Sequence, residues 1–273
     1  MGRDDRGTRR AAAPAAIPND QTPLARLLAH GAAYWTCVAA AEPRPGWVLF
    51  HNAALVGRID PNHAGGFRAP EGTGTAIARE VVAFYEALGA PPAAYVDALA
   101  TPRDLVPSLI AAGFREWAGA ANDLMLYVGP DVERQSAHAV AVVRTDRERA
   151  DWAALVEEEA DAETRRVLHS LHAMELADSR ATAYLARVDG RPASRCLLFS
   201  SDGLGRVEEV RTLAAYRGRG LAVAVVRRAV AESLAQGNGL TYVYAEPDGA
   251  AQRLYDRLGF RTVARYAIRG FIR

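Results

Sequence analysis

A mixed α/β fold occurring twice in tandem is what this sequence predicts, and three observations lead there. The first is self-similarity: at an offset of 146 residues, Glu71-Gly-Thr-Gly-Thr-Ala76 lies over Arg217-Gly-Arg-Gly-Leu-Ala222, and without a gap Gly113-Phe114-Arg115 lies over Gly259-Phe260-Arg261. Identities at Ala83/Ala229, Glu86/Glu232 and Leu88/Leu234 fall between these anchors. The second is that period-2 apolar runs, which suit half-buried strands, alternate with runs at helical spacing. The third is length: 273 residues make about two ordinary domains, each able to bury most of its unfolded surface. Two copies indicate duplication and not a solenoid, which needs roughly three repeats or more.

The elements follow in order. In the first copy a glycine-containing turn at 71–74 leads into a helix of about four turns, a short strand, a second helix, and a Gly113-Phe114 step into another strand. In the second copy, helical spacing predicts helices over 149–160 and 164–176. Alternating runs predict strands over 182–188, 196–199 and 206–213, with an Asp189-Gly190 turn joining the first two. A helix over 221–236, a strand over 241–245, a helix over 250–258 and strands through 262–271 complete a hairpin sheet followed by a crossover helix. The chain thus divides into a disordered tail over 1–26, a first domain over 27–130, a linker over 131–137 in a polar stretch after Pro130, and a second domain over 138–273.

Composition removes several classes of function. Half the residues are hydrophobic and 24% are charged, which fits a folded globular chain and not a disordered one. No window approaches the roughly 18 apolar residues of a membrane span, and the first 26 residues lack the apolar run of a secretory signal. With net charge +1 the chain lacks the basic footprint that draws proteins to nucleic acid or anionic lipid, so neither is an expected partner. Cys37 and Cys196 are far apart with no Cys-x-x-Cys pair, so neither a disulfide framework nor a thiolate metal site is expected, and a reducing cytoplasm fits. All 33 basic residues are arginine, which we attribute to the base composition of the gene.

Chemistry concentrates in Val207-Glu-Glu-Val-Arg-Thr-Leu-Ala-Ala-Tyr-Arg-Gly-Arg-Gly-Leu-Ala222, a strand that runs into a glycine-rich turn and then a helix. Gly218 and Gly220 permit positive φ, and the first amides of a helix lack partners, so the turn can cradle an anion with help from Arg217, Arg219 and the helix dipole. A pyrophosphate would suit it. Neither a Walker loop nor a dinucleotide fingerprint fits, because the chain has no lysine and only two glycines stand there.

About thirty residues on, Asp248-Gly-Ala-Ala251-Gln-Arg-Leu-Tyr255-Asp-Arg-Leu-Gly259-Phe260 adds a second cluster, and with it the sequence resembles the GNAT family of acyl-CoA-dependent N-acetyltransferases. The family's Gln/Arg-x-x-Gly-x-Gly/Ala pattern is matched by Arg217, Gly220 and Ala222. Its Asn-x-x-Ala-x-x-x-Tyr-x-x-x-Gly-Phe pattern is matched by Ala251, Tyr255, Gly259 and Phe260, with Asp248 where Asn is usual. The resemblance implies that amides from Arg217 through Gly218, Arg219, Gly220 and Leu221 to Ala222 hold the pyrophosphate of acetyl-CoA, the co-substrate. It implies further that Thr212 and Leu213 pair with the pantetheine arm, that Asp248 and Ala251 border the cofactor, and that Tyr255 protonates the departing thiolate. No metal is implied.

An ammonium must lose a proton before it can attack a thioester, and Glu208 or Glu209 could take it. Strand alternation should point these two side chains to opposite faces, so that only one, preferably Glu208, reaches the acceptor. In the first copy Glu71 replaces Arg217 and Leu109 replaces Tyr255, which sets a negative charge in the anion loop and removes the phenol. That copy is therefore expected to be a degenerate, non-catalytic GNAT-like domain that helps to form the acceptor cleft, a layout similar to tandem acetyltransferases of the family.

The expected function is transfer of an acetyl group to a primary amine of a small molecule or peptide by a monomer or homodimer. A non-catalytic acyl-CoA-binding regulator is the alternative, and an aminoacyl-tRNA donor is disfavoured by the near-neutral charge. Three weaker signals stand apart. The run Glu157 to Glu163 is read mainly as a solvated face that could attract a cation. His169, His172 and Glu175 share one helix face without a third ligand of metal-site geometry. Trp47, Trp117 and Trp152 read as core or interface residues.

Overall fold

A computed structural model of the chain describes residues 22–117, 120–130, 138–156 and 160–273. The first half holds α1 (Pro23–Tyr34), β1 (Ala40–Arg44), β2 (Trp47–His51), β3 (His63–Gly65), α2 (Gly74–Leu88), β4 (Ala93–Asp97), α3 (Leu105–Ala111), β5 (Arg115–Glu116) and β6 (Asn122–Tyr127). The second holds β7 (Val140–Val142), α4 (Asp146–Ala153), α5 (Ala162–Ala177), β8 (Ala181–Val188), β9 (Arg191–Ser201), β10 (Leu204–Thr212), α6 (Leu221–Ala235), β11 (Leu240–Ala245), α7 (Ala250–Arg257) and β12 (Phe260–Ile272). The two tandem halves share one mixed sheet in the order β1-β2-β3-β4-β12-β6-β11-β10-β9-β8-β7, with β5 paired to β12. This is the mixed α/β fold that the alternating periodicities predict.

Two strand pairs are parallel, β3 with β4 and β10 with β11, and each is spanned by the crossover helix, α2 or α6, that a parallel pair requires. The last strands are exchanged between halves. Strand β6 of the first half pairs with β11, while β12 begins against β6 at Phe260–Tyr127 and ends against β4 at Ile272–Ala93. Helix α1 lies over this seam, where Leu27 and Leu28 pack with Leu124, Tyr242 and Ala267. Burying a leucine contributes roughly 1.5–3 kcal/mol, so α1 fixes the halves to each other. The cores beneath the two crossover helices centre on Phe67, Val81, Tyr85 and Leu109, and on Tyr184, Val225, Val226 and Phe260.

Some boundaries differ from expectation for local reasons. Helix α1 starts at Pro23, inside the expected tail, because Thr22 caps it by accepting from the Ala25 amide at 3.3 Å and proline suits the first turn. Helix α4 spans 146–153 and not 149–160. A capping box starts it early, with the Glu148 amide donating to Thr145 Oγ1 at 3.2 Å and the Thr145 amide to Glu148 Oε2 at 2.9 Å. The expected linker 131–137, most of the expected tail, and Glu157 to Glu159 of the acidic run lie outside the described residues. Among the described residues no helix is long and apolar enough to cross a membrane.

Candidate active site

Strand β10 carries the candidate acid–base groups, and its backbone departs from regular alternation there. Its pairing with β9 shifts register between Glu208 and Arg211, and Glu209 takes φ +54°, the mark of a bulge. The expectation that Glu208 and Glu209 serve opposite faces is therefore corrected, since both border one cavity of about 240 Å³. That cavity exists because β10 and β11 pair only from Leu204–Leu240 to Val207–Val243, while β10 runs on to Thr212. The parallel strands splay, and Tyr255 closes the gap from α7.

Tyr255 is 5% exposed, with its ring 5.7 Å from that of Phe260. Burial first, and then the negative charge of Glu208, push its phenol above the ordinary value, so it stays protonated and able to donate. Glu208 is held by the buried Arg206, whose Nε donates to it at 2.6 Å. Burial raises the Glu208 carboxyl from its ordinary value against the opposing pull of Arg206. Arg206 also donates to the Gly31 carbonyl at 2.8 Å, and its guanidinium lies 4.2 Å from the Tyr34 ring centre and 4.9 Å from that of Tyr244. This one side chain therefore ties Glu208 to α1 across the seam.

Glu209 is engaged differently. Arg195 donates to its Oε2 at 2.6 Å and His172 Nε2 lies 3.3 Å away. Although burial opposes ionisation, the His172 hydrogen bond and the Arg195 charge hold its carboxyl down at about 2. The buried Glu175 stands beside it, accepts from the Tyr34 hydroxyl, and is raised well above the carboxylate range by burial and then by Glu209. Donor atoms of His172, Glu175 and Glu209 lie within 4.8 Å of one another, but Arg195 already occupies that cluster, its Nη2 donating to Glu209 at 2.6 Å and lying 2.9 Å from His172 Nε2. His169, expected on the same face, is exposed.

The glycine turn takes the conformation its sequence requires. Gly218 and Gly220 have φ +75° and +80°, where a side chain would be strained, and Gly220 begins α6 with no side-chain cap. Among the described residues none of the amides of Gly218, Arg219, Gly220, Leu221 and Ala222 donates to a backbone carbonyl. Arg217 Nε reaches the Thr212 carbonyl at 3.3 Å, and Arg219 reaches the Ala215 carbonyl at 3.3 Å. The strand above is partly spoken for. Thr212 shares a hydroxyl bond with Ser194 at 2.8 Å, and Leu213 donates its amide to the Ala193 carbonyl while its own carbonyl accepts from Tyr216, so Leu213 could meet a ligand only through the second lone pair of that carbonyl. Asp248 is 79% exposed at its side chain and paired with Arg265 at 3.0 Å, while Ala251 is exposed in the first turn of α7.

A second cavity, of about 290 Å³, adjoins the first: Glu208 and Tyr244 line both. Its other walls come largely from the first half, among them Trp35, Asp60, His63, Tyr95, Asp97 and Trp117. Of the three tryptophans read as core or interface, Trp47 and Trp152 are buried, whereas Trp117 is 41% exposed and lines this cavity between the halves. Tyr244 Oη is buried and has no hydrogen-bond partner among the described residues.

The matching turn of the first half is filled by the chain itself. The Asp104 carboxylate accepts from the amides of Gly72 at 3.3 Å and Gly74 at 3.2 Å at the start of α2, and Glu71 accepts from the Arg103 amide at 3.0 Å. An internal carboxylate thus stands at the corresponding helix start. The signal was present in the repeat, where Asp104 falls opposite Ala250.

Residues 147–260 match the family model described as Acetyltransferase (GNAT) family. No curated protein sequence matches the chain. Among solved structures, a GCN5-related N-acetyltransferase from Kribbella flavida superposes with a TM-score of 0.67 at 20% identity, covering 92% of this chain and 96% of that one. A conserved protein of unknown function from Staphylococcus epidermidis gives 0.61 at 12% identity over 86% and 93%. A tandem GNAT protein from the clavulanic acid biosynthesis pathway gives 0.52 at 12% identity over 72% and 68%. At these identities the likeness is one of fold, and together with the family match it establishes that the chain is a tandem GNAT-fold protein whose residues 147–260 carry the match to the acetyltransferase (GNAT) family.

Proposed function

We propose that the second half transfers an acetyl group from acetyl-CoA to a primary amine held in the cavity between the halves. The observation that carries this reading is the meeting of two cavities at Glu208 and Tyr244, one bordered by Tyr255 beside splayed strands, the other built by both halves. The donor would be held by the bare amides of residues 218–222, since unpaired amides at a helix start and positive-φ glycines suit a pyrophosphate. The first half would hold no second donor, because Asp104 and Glu71 place carboxylates where its anion would sit.

The chemistry then balances. An ammonium entering the 290 Å³ cavity gives a proton to Glu208, directly or through water, and burial makes Glu208 a stronger base than an ordinary glutamate. The nitrogen lone pair attacks the thioester carbonyl, a C–N bond forms and the C–S bond breaks. The departing sulfur takes the Tyr255 proton, and the second proton, which the acylated nitrogen must shed, restores the phenol through solvent, so that the one proton released overall is the one passed to Glu208. Glu209, fixed by Arg195 and His172, serves to shape the bulge and not to take the proton. The test is thiol release from acetyl-CoA by the purified chain across a panel of amines. The reading expects release that requires an amine; affinity for CoA without amine-dependent release would instead favour an acyl-CoA-binding regulator.

A further inference from the structure

We infer that the acceptor is a small primary amine carried on a single aromatic ring that also bears a hydrogen-bond donor; this rests on the acetyl-transfer reading and specifies its substrate. The acceptor cavity, at about 290 Å³, stands at the small end of ligand pockets, which run from roughly 300 to 1,000 Å³. One ring with a short chain fills such a space. Its walls include an aromatic cluster: the His63 ring lies 4.3 Å from Tyr95 and 5.1 Å from Trp35, which offers flat faces to a guest ring. His63 Nδ1 bonds the Asp60 carbonyl at 2.8 Å, and burial lowers its pKa to about 3, so it adds no positive charge to repel an amine. Trp117 is left 41% exposed at the same cavity, a large apolar surface that a bound ring would cover.

Charge sets the polarity of the guest. Asp60, Asp97 and Glu208 line the cavity against the single guanidinium of Arg206, which favours a cation. Glu208 marks the end next to the donor cavity and so takes the amine. Of the other two carboxylates, Asp97 is engaged by Arg68 at 3.0 Å and by the Leu99 amide at 2.9 Å. Asp60 has spare capacity, because Tyr95 donates to its Oδ1 at 2.9 Å while among the described residues Oδ2 meets only Arg58, at 3.5 Å. A ring hydroxyl donating to Asp60 would complete that oxygen.

The experiment compares tyramine, 2-phenylethylamine, n-hexylamine and glucosamine as acceptors in acetyl-CoA thiol release. The expected kcat/KM order is tyramine above phenylethylamine above hexylamine, with each step about three- to tenfold from ring contact and then from the hydroxyl. Trp117→Ala should remove the ring step, mainly through KM, and Asp60→Asn the hydroxyl step, with CoA affinity unchanged in both. Trp117 is exposed, so its loss leaves the core intact. Thiol release in which hexylamine or glucosamine equals tyramine overturns the inference. If no amine releases thiol, the acetyl-transfer reading fails separately; saturable tyramine binding by calorimetry, weakened in Trp117→Ala, would then still uphold the pocket, and absent binding would overturn it.

Discussion

Replacing Glu208 with glutamine is the most informative single change, because the structure fixes what should be lost and what should be kept. Glutamine retains the shape and an oxygen that Arg206 Nε can reach at the present 2.6 Å, but it cannot take a proton near neutrality. Arg206 loses its counter-charge, yet it keeps the Gly31 carbonyl at 2.8 Å and the Tyr34 ring at 4.2 Å. Stripping a buried pair to one bare charge costs about 3–5 kcal/mol. Here the hydrogen bond survives in neutral form, so the loss should be nearer the difference between charged and neutral bonds, about 1–2 kcal/mol. That cost is partly offset because burial already opposes the Glu208 charge. Turnover should fall roughly 10²–10⁴-fold, the range for a lost general base. The wild-type rate should climb with pH through a midpoint above the ordinary glutamate value, since burial raises the Glu208 carboxyl, and the variant should lack that climb. Thiol-release kinetics from pH 5 to 9, with urea unfolding in parallel, measures both effects. A variant with wild-type kcat/KM and an unchanged pH profile would refute the role of Glu208.

Two further outcomes follow. Tyr255→Phe removes one oxygen while leaving the ring packed beside Phe260, so CoA affinity and Tm should hold while turnover drops roughly 10²-fold or more; steady turnover would remove Tyr255 from the chemistry. Glu209, held at about 2 in the folded chain, contributes stability that is present above the ordinary value of 4.5 and is lost as pH falls toward 2. Glu175, raised by burial, acts above 4.5 and in the opposite sense, whereas Asp178 and Glu116 are also held low by their arginine partners, so Glu209 is isolated by the difference between the wild type and Glu209→Gln in urea midpoints below 4.5. Glu209→Gln should flatten the midpoint against pH in that window, and a slope equal to the wild type would contradict the assignment.

How much of this was legible depended on whether the controlling interaction was local. The crossover helix and its glycine turn were visible because a parallel pair demands a long connection and because positive φ demands glycine at 218 and 220. The alternation at Glu208 and Glu209 was misjudged because a bulge inserts a residue without changing the apolar pattern, and Glu209 adopts φ +54° although it is not glycine. The Thr145-x-x-Glu148 capping box was a local signal that could have set the start of α4. That the first half helps to form the acceptor cleft was expected, but the residues it brings there could not be read. Asp60, His63 and Tyr95 are brought to Glu208 by strands that exchange between halves, and nothing in the spacing of either half announces pairing between β6 and β11 or between β12 and β4.

The central claim is that residues 218–222 of the second half form the one working anion cradle. Calorimetric titration of the intact chain with CoA tests it most directly, alongside Gly220→Ala, which puts a methyl at φ +80° where the ligand's phosphates would approach. One equivalent bound per chain, weakened at least tenfold by the substitution, is the predicted result. Two equivalents, no binding, or affinity indifferent to Gly220 would contradict it.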